Sequence, residues 1–147
     1  MKMKRPTMTI IPMLVLMILS ALTAEVCDAG VTQEIRFPQG SNSTVIEQSV
    51  IRGERDLYYL TARAGQTLAV SLSALENNAV FAIYKPGYAV TSDKDGFTEI
   101  KGAALAGAGE SDDATAWESS LPVSGKYLIV VGGTRGNATY RLKITVR

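Results

Sequence analysis

Two segments of the chain alternate strictly between apolar and polar positions. Across residues 67–73, Leu68, Val70 and Leu72 share one side, and Thr67, Ala69, Ser71 and Ser73 share the other. Across residues 139–147, Tyr140, Leu142, Ile144 and Val146 oppose Arg141, Lys143, Thr145 and Arg147. A period of two marks a strand with one face on a core. Residues 79–84 and 127–131 are apolar on both faces, as strands covered from both sides are. Weaker strand patterns occupy residues 32–37, 44–51, 57–62 and 116–119. Turn residues punctuate these runs at Gly53, Gly65, Pro86-Gly87 and Ser124-Gly125. Eight or so short strands without a helical period predict an all-β fold, a single antiparallel two-sheet β-sandwich of jelly-roll type over residues 30–147. Residues 88–114 break the pattern. They are rich in Gly, Ala, Asp and Lys and read as a long connection.

The segment before this domain has a different character. Lys2, Lys4 and Arg5 precede a run, residues 10–19, that is apolar except for Pro12. Small residues follow at Ser20, Ala21, Thr23 and Ala24. This is the layout of an export signal over residues 1–29, and the run is shorter than the ~20 residues a membrane span needs. The expectation is a periplasmic protein with no membrane attachment after cleavage. Cutting after Ala24 leaves bulky Leu22 three residues back, whereas cutting after Ala29 puts small Cys27 there, which favours Ala29. Cys27 is the only cysteine, so no internal disulfide can form and stability must come from packing.

Charge and chemistry narrow the function. Setting aside Lys2, Lys4, Arg5, Glu25 and Asp28, 12 of the 15 basic and 12 of the 14 acidic residues remain. A neutral domain lacks the broad positive field that holds nucleic acid. The chain has no histidine, which removes Ser-His-Asp and Cys-His catalysis and the commonest metal ligand. Two carboxylates alone suffice for glycoside hydrolysis. The available acids, Asp93, Asp95, Glu110, Asp112 and Asp113, fall mainly on predicted loops and read as solvated charges. Asp93-Lys94-Asp95-Gly96 has part of a calcium-loop pattern, but Thr91 and Gly102 stand where that pattern needs acids. The reading is therefore a binding protein with no catalytic residues, metal or cofactor.

The carboxy-terminal half contains Trp117-Glu118-Ser119-Ser120-Leu121-Pro122-Val123-Ser124-Gly125-Lys126-Tyr127, then Val130-Val131-Gly132-Gly133-Thr134-Arg135 and Ala138-Thr139-Tyr140. Tyr59, Ala62, Ala64-Gly65-Gln66 and Pro86-Gly87 lie upstream at matching intervals. Together these residues resemble the bacterial periplasmic inhibitors of g-type lysozyme and, more broadly, the pre-peptidase C-terminal β-sandwich domains. The resemblance covers roughly residues 31–147. It implies a protein partner, g-type lysozyme, whose peptidoglycan cleft surface loops would block. The partner-binding residues it implies are Ser124, Gly125, Lys126, Tyr127 and Arg135. Ser124 would offer a hydroxyl at a turn that Gly125 permits, and Arg135, with Lys126 as a second cation, would meet a cleft carboxylate. The alternation places Tyr127 with Ile129 and Val131, a core position. A second reading is a carbohydrate- or envelope-binding module of the same fold, with Trp117, Tyr58 and Tyr88 as stacking residues. A single Trp in the chain weighs against it.

Overall fold

The computed structural model describes residues 30–147; the expected export signal, with both candidate cleavage points, lies outside the described residues. Ten strands follow in order: β1 (Thr32–Glu34), β2 (Ser43–Val50), β3 (Arg55–Ala62), β4 (Thr67–Ala74), β5 (Ala79–Tyr84), β6 (Ala89–Ser92), β7 (Thr98–Lys101), β8 (Ala116–Ser120), β9 (Gly125–Gly133) and β10 (Ala138–Val146). They build two four-stranded sheets, β1-β3-β9-β5 and β2-β10-β4-β8, and a small β6-β7 hairpin. β2 pairs with β10, β3 with β9 and β4 with β8, all antiparallel. That nesting of early with late strands is the jelly-roll arrangement expected from the sequence. One pairing departs from the antiparallel expectation. β1 runs parallel to β3, with Glu34 opposite Tyr59.

The alternation seen in the sequence becomes the packing. Leu68, Val70 and Leu72 of β4 and Tyr140, Leu142 and Ile144 of β10 face Tyr58, Leu60, Phe81, Ile83, Tyr127 and Ile129 of the opposite sheet in one buried core. Burying a large apolar side chain contributes about 1.5–3 kcal/mol. With no disulfide, this core carries the fold. A polar chain crosses it: the Tyr140 hydroxyl donates to Asp56 Oδ2 at 2.5 Å, and the Tyr58 hydroxyl meets that of Tyr140 at 2.5 Å. Asp56 also accepts the Val31 N–H at 2.7 Å, so a buried carboxylate is satisfied where an unpaired one would be costly. Burial above all pushes the Tyr58 hydroxyl up to about 12, with the nearby Asp56 charge adding to the rise. Burial and the hydrogen bond to Asp56 raise Tyr140 as well.

The segment read as a long connection, residues 88–114, is more ordered than expected. Its later part bonds along the edge of β5 and adds Leu105, Ala108 and Ala114 to the core between the sheets, while its earlier part folds back over the outer face of the β1-β3-β9-β5 sheet. Leu57, Ala82, Tyr84, Leu128 and Val130 form a second buried cluster there, with Tyr88, Val90, Ile100 and Ala104 packed on it. This explains why β5 and β9 are apolar on both faces. Asp93 caps the hairpin turn, its Oδ1 accepting the Asp95 and Phe97 N–H groups at 2.9 and 2.8 Å, an Asx-type turn. The part-calcium sequence is thus spent on a turn. Among the described residues no three His, Cys, Asp or Glu side chains gather as a metal-ligand group.

Candidate functional site

The five residues singled out from sequence divide between the two ends of β9. Ser124, Gly125 and Lys126 lie at its start, Arg135 lies just beyond its finish, and Tyr127 turns inward between them. Eight residue steps at ~3.3 Å put the two ends of this strand about 26 Å apart. The structure therefore does not bring Ser124 and Arg135 together.

At the starting end the loops are bound to one another. The Ser124 hydroxyl oxygen accepts the Ala64 N–H at 2.8 Å, and Gly65 N donates to Leu121 O at 2.9 Å. Gly125 sits at φ +147°, where a Cβ would come within 2.8 Å of the Pro86 ring. Glycine is needed there for close approach as well as for backbone angle. Lys126 pairs with Glu34 across β3 and lies 5.7 Å over the Tyr59 ring, which stacks with Tyr88 at 6.2 Å. Tyr127 is fully buried, and its hydroxyl donates to Val123 O at 2.6 Å. The inward position read from its alternation is the one it occupies.

At the finishing end the 75–78 and 134–137 loops are held by one buried amide. Asn78 Nδ2 donates to Arg135 O at 3.0 Å and to Asn137 O at 2.9 Å, and Thr134 N donates to Asn78 O at 2.8 Å. The 51–54 loop joins them where Arg52 N donates to Asn137 Oδ1 at 2.9 Å. The backbone is braced while the side chains stay outside. Arg135 is exposed, and among the described residues its side chain makes one hydrogen bond, from a guanidinium nitrogen to Glu76 O at 3.2 Å. Neither Arg135 nor Arg52 joins an ion pair among the described residues. Leu75 is 88% exposed beside them, and Ile51 is 49% exposed.

Next to this end, on the outer face of the β1-β3-β9-β5 sheet, is a cleft of about 340 Å³. Val80, Ala82 and Val130 line it with Gly132 and Gly133, beside the ion pair of Arg55 and Glu110 at 2.7 Å. A hydrogen bond from Tyr84, together with the Arg55 guanidinium, holds the Glu110 carboxyl below its ordinary value against the opposing effect of burial. Burial, then the bond to Glu110, pushes the Tyr84 hydroxyl up to about 12. Glu110 is thus an ionised partner of Arg55. Asp112 is used locally, its Oδ2 accepting the Gly109 N–H at 2.7 Å.

The stacking residues of the second reading are placed differently from that expectation. Tyr58 is fully buried in the core and unavailable to a ligand. Trp117 is half-buried on edge strand β8, with Nε1 donating to Ala106 O at 2.9 Å. Tyr88 lies against Tyr59. No three of these rings form a shared platform. Sequence reasoning missed Asn78, Leu75 and Asp56. Leu75 carried a faint signal, as an apolar residue directly after a regular alternation. Asp56 carried another, falling in step with Tyr58, Leu60 and Ala62.

No protein-family model matches the chain, and no curated protein matches it in sequence. Solved structures do match. PliG of Aeromonas hydrophila, a periplasmic lysozyme inhibitor of g-type lysozyme, aligns with a TM-score of 0.57 and 24% identity, over 80% of this chain and 96% of the inhibitor. A mutant of PliG from Escherichia coli aligns at 0.57 and 23%, covering 81% of this chain and 100% of the other. PliG of Salmonella Typhimurium aligns at 0.55 and 24%, covering 80% and 99%. The chain therefore has the β-sandwich fold of these three periplasmic inhibitors, across nearly their whole length.

Proposed function

We propose that this protein is exported to the periplasm and inhibits g-type lysozyme without catalysing any reaction, by placing the Arg135 end of the sandwich in the enzyme's peptidoglycan cleft. The observation that carries this reading is the fold match to three inhibitors of that enzyme class, each aligned over at least 96% of its length. The shared sequence blocks and the leader-like residues 1–29 support it. A glycosidase cleft holds a carboxyl group at its centre. Arg135 supplies a planar cation suited to meet a carboxylate, and Leu75 supplies apolar surface to fill the cleft around it. Asn78 keeps the loop from having to be ordered on binding, which lowers the entropic cost of association.

The Ser124–Lys126 turn has a smaller part in this reading, because its polar groups are already engaged within the fold. It lies about 26 Å from the Arg135 end along β9. The test is an inhibition panel with g-, c- and i-type lysozymes acting on peptidoglycan. The expected result is saturable inhibition of the g-type enzyme and little or none of the others. A g-type enzyme left untouched at micromolar protein would sink the assignment.

A further inference from the structure

Two successive amides just before β1 meet carboxylates. Gly30 N donates to Glu54 Oε2 at 3.2 Å, and the next amide, Val31 N, donates to Asp56 Oδ1 at 2.7 Å. Gly30 itself is at φ +75°, and a Cβ there would overlap the Arg55 carbonyl oxygen. Only glycine fits this position without moving the start of β3. Val31 O then accepts the Leu57 N–H at 2.7 Å, which leads into the parallel β1-β3 pairing. Two carboxylates thus converge on the backbone of residues 30 and 31.

The geometry points to Gly30 as the first residue of the exported protein, with its α-ammonium seated on Glu54 and Asp56 beside it. Hydrolysis of the Ala29–Gly30 peptide bond by an export peptidase adds the hydroxyl of water to the Ala29 carbonyl carbon and a proton to the Gly30 nitrogen. The new Ala29 carboxyl group ionises and the amine takes up a further proton, so a neutral amide with one N–H becomes an ammonium with three, next to Glu54. The residues before the bond, Cys27-Asp28-Ala29, place small side chains one and three positions back, as such a peptidase requires. The charges around this nitrogen favour the ammonium. Glu54 contacts it directly and Asp56 holds the following amide, while the Arg55 guanidinium is turned to Glu110. Of the groups packed from β10 and β3, Tyr140 donates its proton to Asp56, and Tyr58 meets Tyr140. Neither adds a cation. Processing would then add hydrogen-bond donors and a positive charge at the start of a β1 strand that already pairs with β3.

The inference is independent of what the protein binds. An α-amino group titrates at about 7.7–8.0 in an unfolded chain, and a carboxylate partner raises that value in the fold. The stability it contributes is complete below pH ~8 and is lost as pH rises through the raised value. The first measurement is the intact mass of the protein recovered from the periplasm of cells expressing the full chain. A mass beginning at Gly30 is expected, and one beginning at Glu25 overturns the inference. The second compares melting of that protein with a chain carrying five neutral residues before Gly30, at pH 7 and pH 10. The Gly30 protein should be more stable at pH 7, by roughly tenfold in the folding equilibrium, and the gap should close at pH 10. Glu54→Gln in the Gly30 protein should narrow the gap at pH 7. Equal stability at pH 7, or a gap unchanged at pH 10, contradicts the ammonium site.

Discussion

At the end of the sandwich where β9 begins, the side chains that match a recognisable sequence block are mostly occupied. Ser124 closes a loop onto Ala64, Lys126 is paired with Glu34, and Tyr127 is part of the core. At the end where β9 finishes, the occupied groups are backbone carbonyls and the Asn78 amide, while Arg135 and Leu75 project outward. Both ends are ordered, but order has a different use at each. The first end spends its side chains on holding the two sheets' loops together. The second spends one buried amide on the backbone and leaves its side chains available. Matching a motif and being free to bind are separate properties, and here they separate along a single strand.

Substitutions can break this comparison, and the largest expected effect is at the starting end. Tyr127→Ala removes a fully buried ring and the hydroxyl bond to Val123, so stability should fall by about 3–5 kcal/mol in denaturant unfolding. Inhibition per folded molecule should not change at temperatures well below melting. Smaller losses are expected nearby. Ser124→Ala removes the acceptor for Ala64 N–H and should cost about 1 kcal/mol or less, because water can replace it. Lys126→Ala breaks an exposed ion pair and should cost at most ~1 kcal/mol. If either of these two variants weakens lysozyme inhibition as much as Arg135→Ala does while folding normally, the distinction between the ends is wrong.

Much of the fold was legible because burial on one or both faces leaves a direct trace in the residue pattern. β4 and β10 showed it as alternation, and β5 was bounded at the residues that form it, Ala79–Tyr84. The β6-β7 hairpin was not legible. Its four-residue strands partly bury only Val90, Thr98 and Ile100, and the Asp-Lys-Asp-Gly turn between them dominates the local composition. The parallel β1 strand was weakly marked for a similar reason, being three exposed residues, Thr32–Glu34, on a sheet edge. Tyr58 was misplaced because β3 is apolar on both faces, so alternation alone does not say which tyrosine points inward. Tyr58 does, and Tyr59 lies outside. The separation of Ser124 from Arg135 was already implied, since the strand between them acts as a ruler. What the sequence lacked was the state of each side chain, which depends on distant partners such as Glu34, Ala64 and Asn78.

The central claim is that the Arg135 end contacts the enzyme, and one measurement tests it most directly. The inhibition constant of Arg135→Ala against a g-type lysozyme is determined beside that of the unaltered protein, with melting temperatures for both. Loss of a charge-assisted bond at a desolvated interface costs about 2–5 kcal/mol, so inhibition should weaken by well over tenfold. Melting should be nearly unchanged, because among the described residues the Arg135 side chain makes one exposed hydrogen bond, to Glu76 O. An Arg135→Ala protein that inhibits as well as the original would contradict the claim and move the contact surface elsewhere on the sandwich.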